Sequence, residues 1–326
     1  MARTARHVHM WKFLRNSMLF IALAVGSVIG VLEGHDVLVW HTPSWVVPAL
    51  LFCMLFLAFC KINPKELRLK KWHLVLLVYQ LAGCLLLFFA VRPFSLMLAQ
   101  GLMICVLMPT ATAAPIITDR LGGNITQITA YVLLSNIMTA VFVPLFFPFV
   151  NPAVEVAYFE RFLQILRHVA PLLFVPFFGA WAVRLCYDTV QRKHGSQKRF
   201  RLPDWLASMP FYLWVLLIVI LIARTVRDLC HYEGELLPVV GLFVGTMIIC
   251  LGQFLLGRSI GSRCDFQGSA VTVGQSLGQK NSALAIWMTQ SWLNPLAALA
   301  PAAYIIWQNL FNSWQLYHSA KLPSKP

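Results

Sequence analysis

Long apolar stretches, separated by short polar connectors, run through the whole chain. Ten of them have roughly the twenty residues that an α-helix needs to cross a bilayer. They are residues 17–34, 44–60, 74–91, 96–119, 124–149, 170–187, 209–226, 237–257, 268–292 and 295–317. The pattern predicts an all-α membrane protein with ten transmembrane helices, numbered here as spans one to ten.

The polar segments divide the chain between these spans. We expect a cytoplasmic N-terminus at 1–16, five spans within 17–150, five more within 170–319 and a cytoplasmic C-terminus at 320–326. The connector 151–169 carries apolar residues between its charges. This mixture allows a helix that lies along the membrane interface.

Composition and charge agree with a membrane protein. Hydrophobic residues make up 59% of the 326 and charged residues only 12%, with a mean hydropathy of +0.71. Such values exclude an ordinary soluble domain. Most lysines and arginines lie in connectors on the side of the N-terminus, so the net charge of +14 reflects topology rather than a nucleic-acid partner. Their distribution predicts a plasma membrane or bacterial inner membrane protein with both termini in the cytoplasm.

The sequence lacks the residue patterns that are typical of catalytic sites and metal-binding sites. The eight cysteines are scattered through apolar segments without a CxxC pair, so neither a metal site nor a disulfide framework is indicated. No span carries a Ser/His/Asp arrangement or paired carboxylates near its middle, as an intramembrane enzyme would require. We therefore expect no enzyme, no cofactor and no bound metal, and a small molecule and the lipid bilayer as partners.

An internal repeat relates the two halves of the chain. The segment Ala130–Ile137 in span five resembles Ala303–Leu310 in span ten, 173 positions later. Five spans separate the two, an odd number, so the halves would have opposite topology. Inverted repeats of this kind are typical of secondary transporters. Chance similarity between two apolar helices is the alternative.

Two spans at corresponding places in the halves are interrupted. Glycines and polar residues fill Gln275–Ser282 in span nine, where Lys280 places a charge at membrane depth. Span four contains Met108–Pro115, in which two prolines remove backbone donors and clash with the preceding turn. Matching breaks in two halves indicate a binding site near the middle of the membrane. The alternative is two ordinary helices kinked by proline or glycine.

The same residues resemble those of the bile acid:sodium symporter family. Gly252–Gly261 followed by Gln275–Ala285 is similar to the family segment that contains Glu-x-Gly-x-Gln-Asn-x-x-Leu-Ala, and 108–124 is similar to its motif Cys-Pro-Gly-Gly-x-x-Ser-Asn. The resemblance implies a core domain of spans three to five and eight to ten, and a panel domain of spans one, two, six and seven. It also implies that spans four and nine unwind and cross, and that organic anions are carried with sodium.

Several sodium-binding positions of that family differ in this chain. Its glutamate falls on Ser276 and the glutamine before the asparagine falls on Lys280, while the asparagine is kept as Asn281. The Ser-Asn pair of the other motif falls on Ala114–Pro115. Gln80 matches a glutamine that helps to bind sodium in the family. Most of the sodium ligands that the resemblance implies are thus replaced.

The distribution of charges predicts a site without sodium. A hard cation requires several oxygen ligands, usually with a carboxylate, but all twelve acidic residues lie near span ends or in connectors. We expect Lys280 to replace a bound cation and to donate hydrogen bonds to nearby carbonyls, with Gln80 as one candidate acceptor. Direct pairing of Lys280 with a substrate carboxylate is compatible with this role. A position nearer the interface, where the side chain reaches water, is the alternative.

The sequence therefore predicts a secondary active transporter that carries an organic anion or a small polar solute without sodium. One alternative is a sodium-coupled symporter with other ligands, such as Gln80, Thr126 and Thr129. Another is a membrane sensor on the same scaffold that transports nothing. The predicted substrate-binding residues are Thr110, Thr112, Gln275, Ser276, Gln279, Lys280 and Asn281.

Overall fold

The computed structural model describes residues 2–35, 42–63, 67–151, 157–194 and 200–321. These residues form α-helices, with no β-strand among them. The helices are α1 (Ala2–Gly34), α2 (Val46–Phe59), α3 (Lys71–Val91), α4 (Leu96–Leu107), α5 (Ala114–Arg120), α6 (Ile125–Val150), α7 (Tyr158–Lys193), α8 (Asp204–Cys230), α9 (Leu236–Gly261), α10 (Ser269–Gly278), α11 (Ser282–Trp292) and α12 (Leu299–Lys321). A short 3₁₀ helix, Pro295–Ala298, joins α11 to α12.

Five helices in the described part of the chain are long and apolar enough to cross a membrane. Their apolar windows have mean hydropathies between 1.7 and 2.5. Large hydrophobic side chains such as Leu86 and Phe149 lie exposed on the outer faces of α3 and α6. Exposed apolar faces of this extent suit a hydrocarbon environment and would be unfavourable in water. The five are Lys71–Val91, Ile125–Val150, Tyr158–Gln191, Asp204–Cys230 and Leu236–Gly261.

Helix boundaries differ from the predicted spans in two places. The first helix begins at Ala2, well before residue 17. The predicted connector 151–169 is not a separate element, because Tyr158–Lys193 is one continuous helix of 36 residues that also contains span six. The charged residues in its first turns obscured its continuity in the hydropathy pattern. The predicted interruptions of spans four and nine are confirmed, since each span consists of two helices separated by non-helical residues.

The helices pack in two groups. One group, the small group, contains α1, α2, α7 and α8, with α8 packed along both α1 and α2. The other, the large group, contains α3–α6 and α9–α12, with α9 packed against α4, α10 and α12. The groups meet mainly where α7 follows α6 and where α8 lies against α11 and the 3₁₀ helix.

Three glycines bring α1 close to α8. A Cβ atom added to Gly30 would lie 2.5 Å from the carbonyl oxygen of Ala223, and one added to Gly34 would lie 2.7 Å from the Cβ atom of Cys230. Gly26 approaches the α8 backbone in the same way. Glycines at intervals of four residues permit this close packing between apolar helices, where lipid provides little hydrophobic driving force.

Candidate functional site

Local sequence explains why α4 and α10 end within their spans. Pro109 has no amide hydrogen, and Met108 before it has a polyproline-like conformation with φ −53° and ψ 143°, outside the helical region. On the other side, α10 ends at Gly278 and Gln279 is extended. The next helix, α11, begins after Asn281, whose side-chain oxygen accepts a hydrogen bond from Leu284 N at 3.3 Å.

The two breaks pair with each other through their backbones. Thr110 and Lys280 form an isolated antiparallel bridge. On either side of it, Ala111 N donates to Gln279 O at 3.0 Å and Asn281 N donates to Pro109 O at 2.8 Å. Buried non-helical backbone needs hydrogen-bond partners within the protein, and this pairing provides them.

Side chains from α6 and α12 complete the backbone hydrogen bonding. Thr110 N donates to Ser135 Oγ at 3.1 Å, and Lys280 N donates to Gln308 Oε1 at 2.9 Å. Ser135 and Gln308 lie 173 positions apart, within the two segments whose similarity indicated the repeat. Thr110 Oγ1 also donates to Ser276 O at 2.6 Å. Sequence reasoning found both segments but not the contacts of these two residues.

The ammonium group of Lys280 lies against the C-terminal end of α4. Its Nζ atom donates to Val106 O at 3.0 Å and Met108 O at 3.2 Å, and the residue is only 1% exposed. The last carbonyls of a helix lack partners within the helix and form the negative end of its dipole. The lysine therefore places hydrogen-bond donors, and a positive charge when it is protonated, where the α4 carbonyls converge.

Gln80 of α3 shares these two carbonyls with the lysine. Its Nε2 atom donates to Val106 O at 3.2 Å and to Met108 O at 3.1 Å. Its Oε1 atom accepts a hydrogen bond from the Tyr131 hydroxyl. Gln80 is therefore a second donor to the break and not an acceptor for Lys280.

Lys280 has no anionic partner among the described residues. The ion pairs in this part of the chain involve arginines, and every acidic side chain described is at least partly exposed. The same residues contain no cluster of histidine, cysteine or acidic side chains that could hold a metal ion. Main-chain carbonyls are thus the described partners of the lysine Nζ atom, and its burial within the helix bundle does not fit an interfacial position.

No protein-family model and no curated protein match this sequence. The resemblance to the bile acid:sodium symporter family therefore rests on the motifs quoted above.

The structure brings together most of the predicted site residues. Thr110, Ser276 and Lys280 meet at the paired breaks, with Gln279 and Asn281 beside them, while Thr112 is half-buried in the first break. The Gln275 side chain points elsewhere, because its Nε2 atom donates to Asn312 Oδ1 at 3.1 Å and Gln315 Oε1 at 2.9 Å on α12.

Several polar atoms at the second break have no hydrogen-bond partner among the described residues. They are Gln279 Oε1, Asn281 Nδ2 and Ser282 Oγ, all buried. Unpaired buried polar groups carry a free-energy cost and mark places where a ligand or an ion could bind. Two of these atoms can donate hydrogen bonds, and both lie at the positive N-terminal end of α11.

Proposed function

We propose that this protein is a secondary active transporter of an organic anion or a small polar solute, similar to the bile acid:sodium symporter family but independent of sodium. The observation that carries the proposal is the buried Lys280 ammonium, which donates to two carbonyls at the end of a broken helix. A transporter of this kind would have ten spans in two inverted repeats, with both termini in the cytoplasm of a plasma membrane or bacterial inner membrane.

The lysine supports independence from sodium. Two carbonyl oxygens that converge at the C-terminus of a half-helix are ligands that a sodium ion could use. The ammonium group occupies the place in front of them, and a second cation beside it would be repelled with little screening. No carboxylate of the described residues lies close enough to offset that repulsion.

The chemistry of the second break supports an anionic or polar substrate. Lys280 uses two of its three N–H donors on carbonyls. Asn281 Nδ2 and Ser282 Oγ are further donors without partners. Donors at a helix N-terminus favour a carboxylate or a similar group.

The packing of the helices supports alternating access. The paired breaks lie within the large group, which meets α8 of the small group along α11 and the 3₁₀ helix. Rocking of one group against the other would expose the breaks to opposite sides in turn. The small group contains the spans of the panel domain that the family resemblance implies, and the large group contains those of the core domain.

Two alternatives receive less support. A sodium-coupled symporter would need oxygen ligands from Gln80, Thr126 or Thr129. The Gln80 side chain already forms hydrogen bonds through both its nitrogen and its oxygen, and Thr126 is exposed. A sensor that transports nothing could share every contact described above. Saturable accumulation of a solute separates a transporter from a sensor, and an enzyme would alter the solute.

The test is uptake into liposomes reconstituted with the full chain, in sodium or choline buffer. Radiolabelled taurocholate, benzoate and pyruvate are the probes. We expect saturable uptake of at least one probe at equal rates in both salts. Lys280→Gln should reduce the rate about tenfold or more, because a lost hydrogen bond to a charged group costs about 1.5–3 kcal/mol.

The matched control is Lys71→Gln, which changes an exposed lysine at the start of α3 and should leave uptake unchanged. A requirement of uptake for sodium would contradict the proposal that transport is independent of sodium. An absence of uptake with all three probes would favour the sensor.

A further inference from the structure

A cavity of about 380 Å³ lies between the two helix groups, apart from the helix breaks. The small group contributes Glu33, Thr42, Arg224 and Arg227, and α11 contributes Gln290 and Ser291. We call it the α8–α11 cavity. Gln290 is nine positions after Asn281, which places the cavity roughly 13 Å along the helix from the second break. Ile286 and Met288, both buried, lie on α11 between the two places.

The arginines of the α8–α11 cavity differ in their partners. Arg227 is paired with both carboxylates of the lining, with Glu33 at 3.1 Å and with Asp228 at 3.0 Å. Arg224 donates instead to the carbonyl oxygen of Thr42 at 3.2 Å and to the Thr42 hydroxyl. Among the described residues, no carboxylate forms an ion pair with Arg224. Arg224 therefore forms no direct ion pair among the described residues, although Glu33 and Asp228 of the same lining are near enough to attract it electrostatically.

The remaining lining suits an organic molecule rather than an inorganic ion. Ile220, Ala223 and Pro295 contribute apolar atoms to a lining that is otherwise mostly polar. Ser291 of α11 has a hydroxyl that can donate a hydrogen bond, whereas the Nε2 donors of Gln290 are used on α8. The volume lies within the range of small-molecule sites, which combine apolar walls with a few convergent polar groups.

We propose that the α8–α11 cavity binds a small organic carboxylate with an apolar body, and that Arg224 holds the carboxylate group. A guanidinium group presents donors in a planar fork that matches a carboxylate. The apolar part of the ligand then packs on Ile220 and Ala223. A role as an entry site, which collects substrate before it reaches the breaks, depends on the proposed function. Binding of a carboxylate in the cavity does not depend on it.

The cavity also lies across a contact between the two helix groups. Gln290 Nε2 of α11 donates to Thr225 Oγ1 at 2.9 Å and to Leu221 O at 3.2 Å on α8. A carboxylate bound at Arg224 is thus next to the contact that must open for the groups to move. Occupancy of this site is coupled to that movement.

The test is binding of benzoate to the purified full chain, measured as an increase in melting temperature in choline buffer at constant ionic strength. Benzamide, the neutral analogue, is the ligand control. A ligand that binds the folded state stabilises it according to its concentration and Kd. We expect benzoate to stabilise the wild type, benzamide to have no effect, and Arg224→Gln to raise the Kd about tenfold or more.

Two further variants make the result specific. Lys71→Gln, which changes an exposed lysine at the start of α3, should bind benzoate like the wild type. Ser291→Phe adds a large side chain to the lining from α11 and leaves both Arg224 and its partner Thr42 in the sequence, so it should weaken binding even if Arg224→Gln does not fold. An unchanged Kd in both cavity variants, or no stabilisation of the wild type by benzoate, would overturn the proposal. Failure of uptake into liposomes with normal benzoate binding would overturn the proposed function instead.

Discussion

The Tyr131 hydroxyl donates a hydrogen bond to the side-chain oxygen of Gln80 in the buried interior of the large group. A second tyrosine–glutamine pair, Tyr304 and Gln253, lies 173 positions later, but its hydrogen bond has the opposite direction, because Gln253 Nε2 donates to the Tyr304 hydroxyl at 3.2 Å. In each pair the glutamine also donates to a carbonyl near the end of α4. The equal spacing supports the proposal that the halves of the chain descend from one repeated unit.

Removal of either tyrosine hydroxyl should destabilise the protein. Tyr131→Phe leaves Gln80 Oε1 buried without its donor, and Tyr304→Phe removes the hydrogen bond that the hydroxyl donates to Gly278 O at 2.8 Å. An unpaired buried polar group costs about 1–3 kcal/mol. We expect a decrease of that size in the free energy of unfolding for each variant, measured by denaturant titration in detergent.

Tyr79→Phe is the matched control for both tyrosines. Tyr79 is half-buried on α3, and its hydroxyl has no hydrogen bond among the described residues. Its substitution should change stability little. Equal effects of all three substitutions would mean that the two contacts do not stabilise the structure.

A methyl group at Gly30 should separate α1 from α8. The new Cβ atom would lie 2.5 Å from Ala223 O and 2.8 Å from Val226 Cβ, too close for either helix to remain in place. Overpacking of this kind costs about 1–3 kcal/mol. Gly252→Ala on α9 is the control, because no atom lies within 4 Å of its added Cβ and alanine favours a helix by up to about 1 kcal/mol. We expect thermal unfolding at a lower temperature for Gly30→Ala and an unchanged or higher temperature for Gly252→Ala.

The two breaks were predictable because local chemistry determines them. Proline at 109 and 115 and the polar run around Lys280 are unfavourable in a continuous helix. Their pairing through Thr110 and Lys280 also agrees with the predicted repeat. The segments of that repeat contain Ser135 and Gln308, although spacing alone did not reveal that these side chains receive the backbone donors.

Other features depend on packing that the hydropathy pattern does not encode. The continuity of α7 through the charged residues of 158–169 was missed, since charge spacing is compatible with either an interfacial helix or the end of a long one. Gln275 was assigned to the break because it is close in sequence, but the rotation of α10 directs it toward Asn312. Arg224 lies near a span end, and its position in a cavity follows only from the packing of α8 against α11.

Both chain termini should lie in the cytoplasm of a bacterial host. Lysines and arginines concentrate in the connectors on that side, and positively charged loops remain on the cytoplasmic side during insertion. A green fluorescent protein fused to the C-terminus should fluoresce, and alkaline phosphatase fused there should be inactive. Fusions that end after Arg92, in the connector between α3 and α4, should give the opposite pair of results. An active phosphatase at the C-terminus would contradict the proposed topology.

A covalent link between α8 and α11 should stop transport. Thr225 and Gln290 contact each other across the two helix groups, so cysteines at both positions should form a disulfide or a mercury bridge in a protein whose exposed cysteines are replaced by serine. If the groups must move relative to each other, oxidation should abolish uptake and a reductant should restore it.

The control for this experiment is a covalent link between two helices of the same group. Gln275 of α10 and Asn312 of α12 contact each other inside the large group, and the corresponding cysteine pair should leave uptake equal in its oxidised and reduced forms. Each variant is its own reference, so a lower basal rate does not affect the conclusion. Uptake that continues after complete oxidation of the Thr225→Cys/Gln290→Cys variant would exclude rocking of the two groups, because the bridge fixes α8 to α11 at the surface along which they would separate.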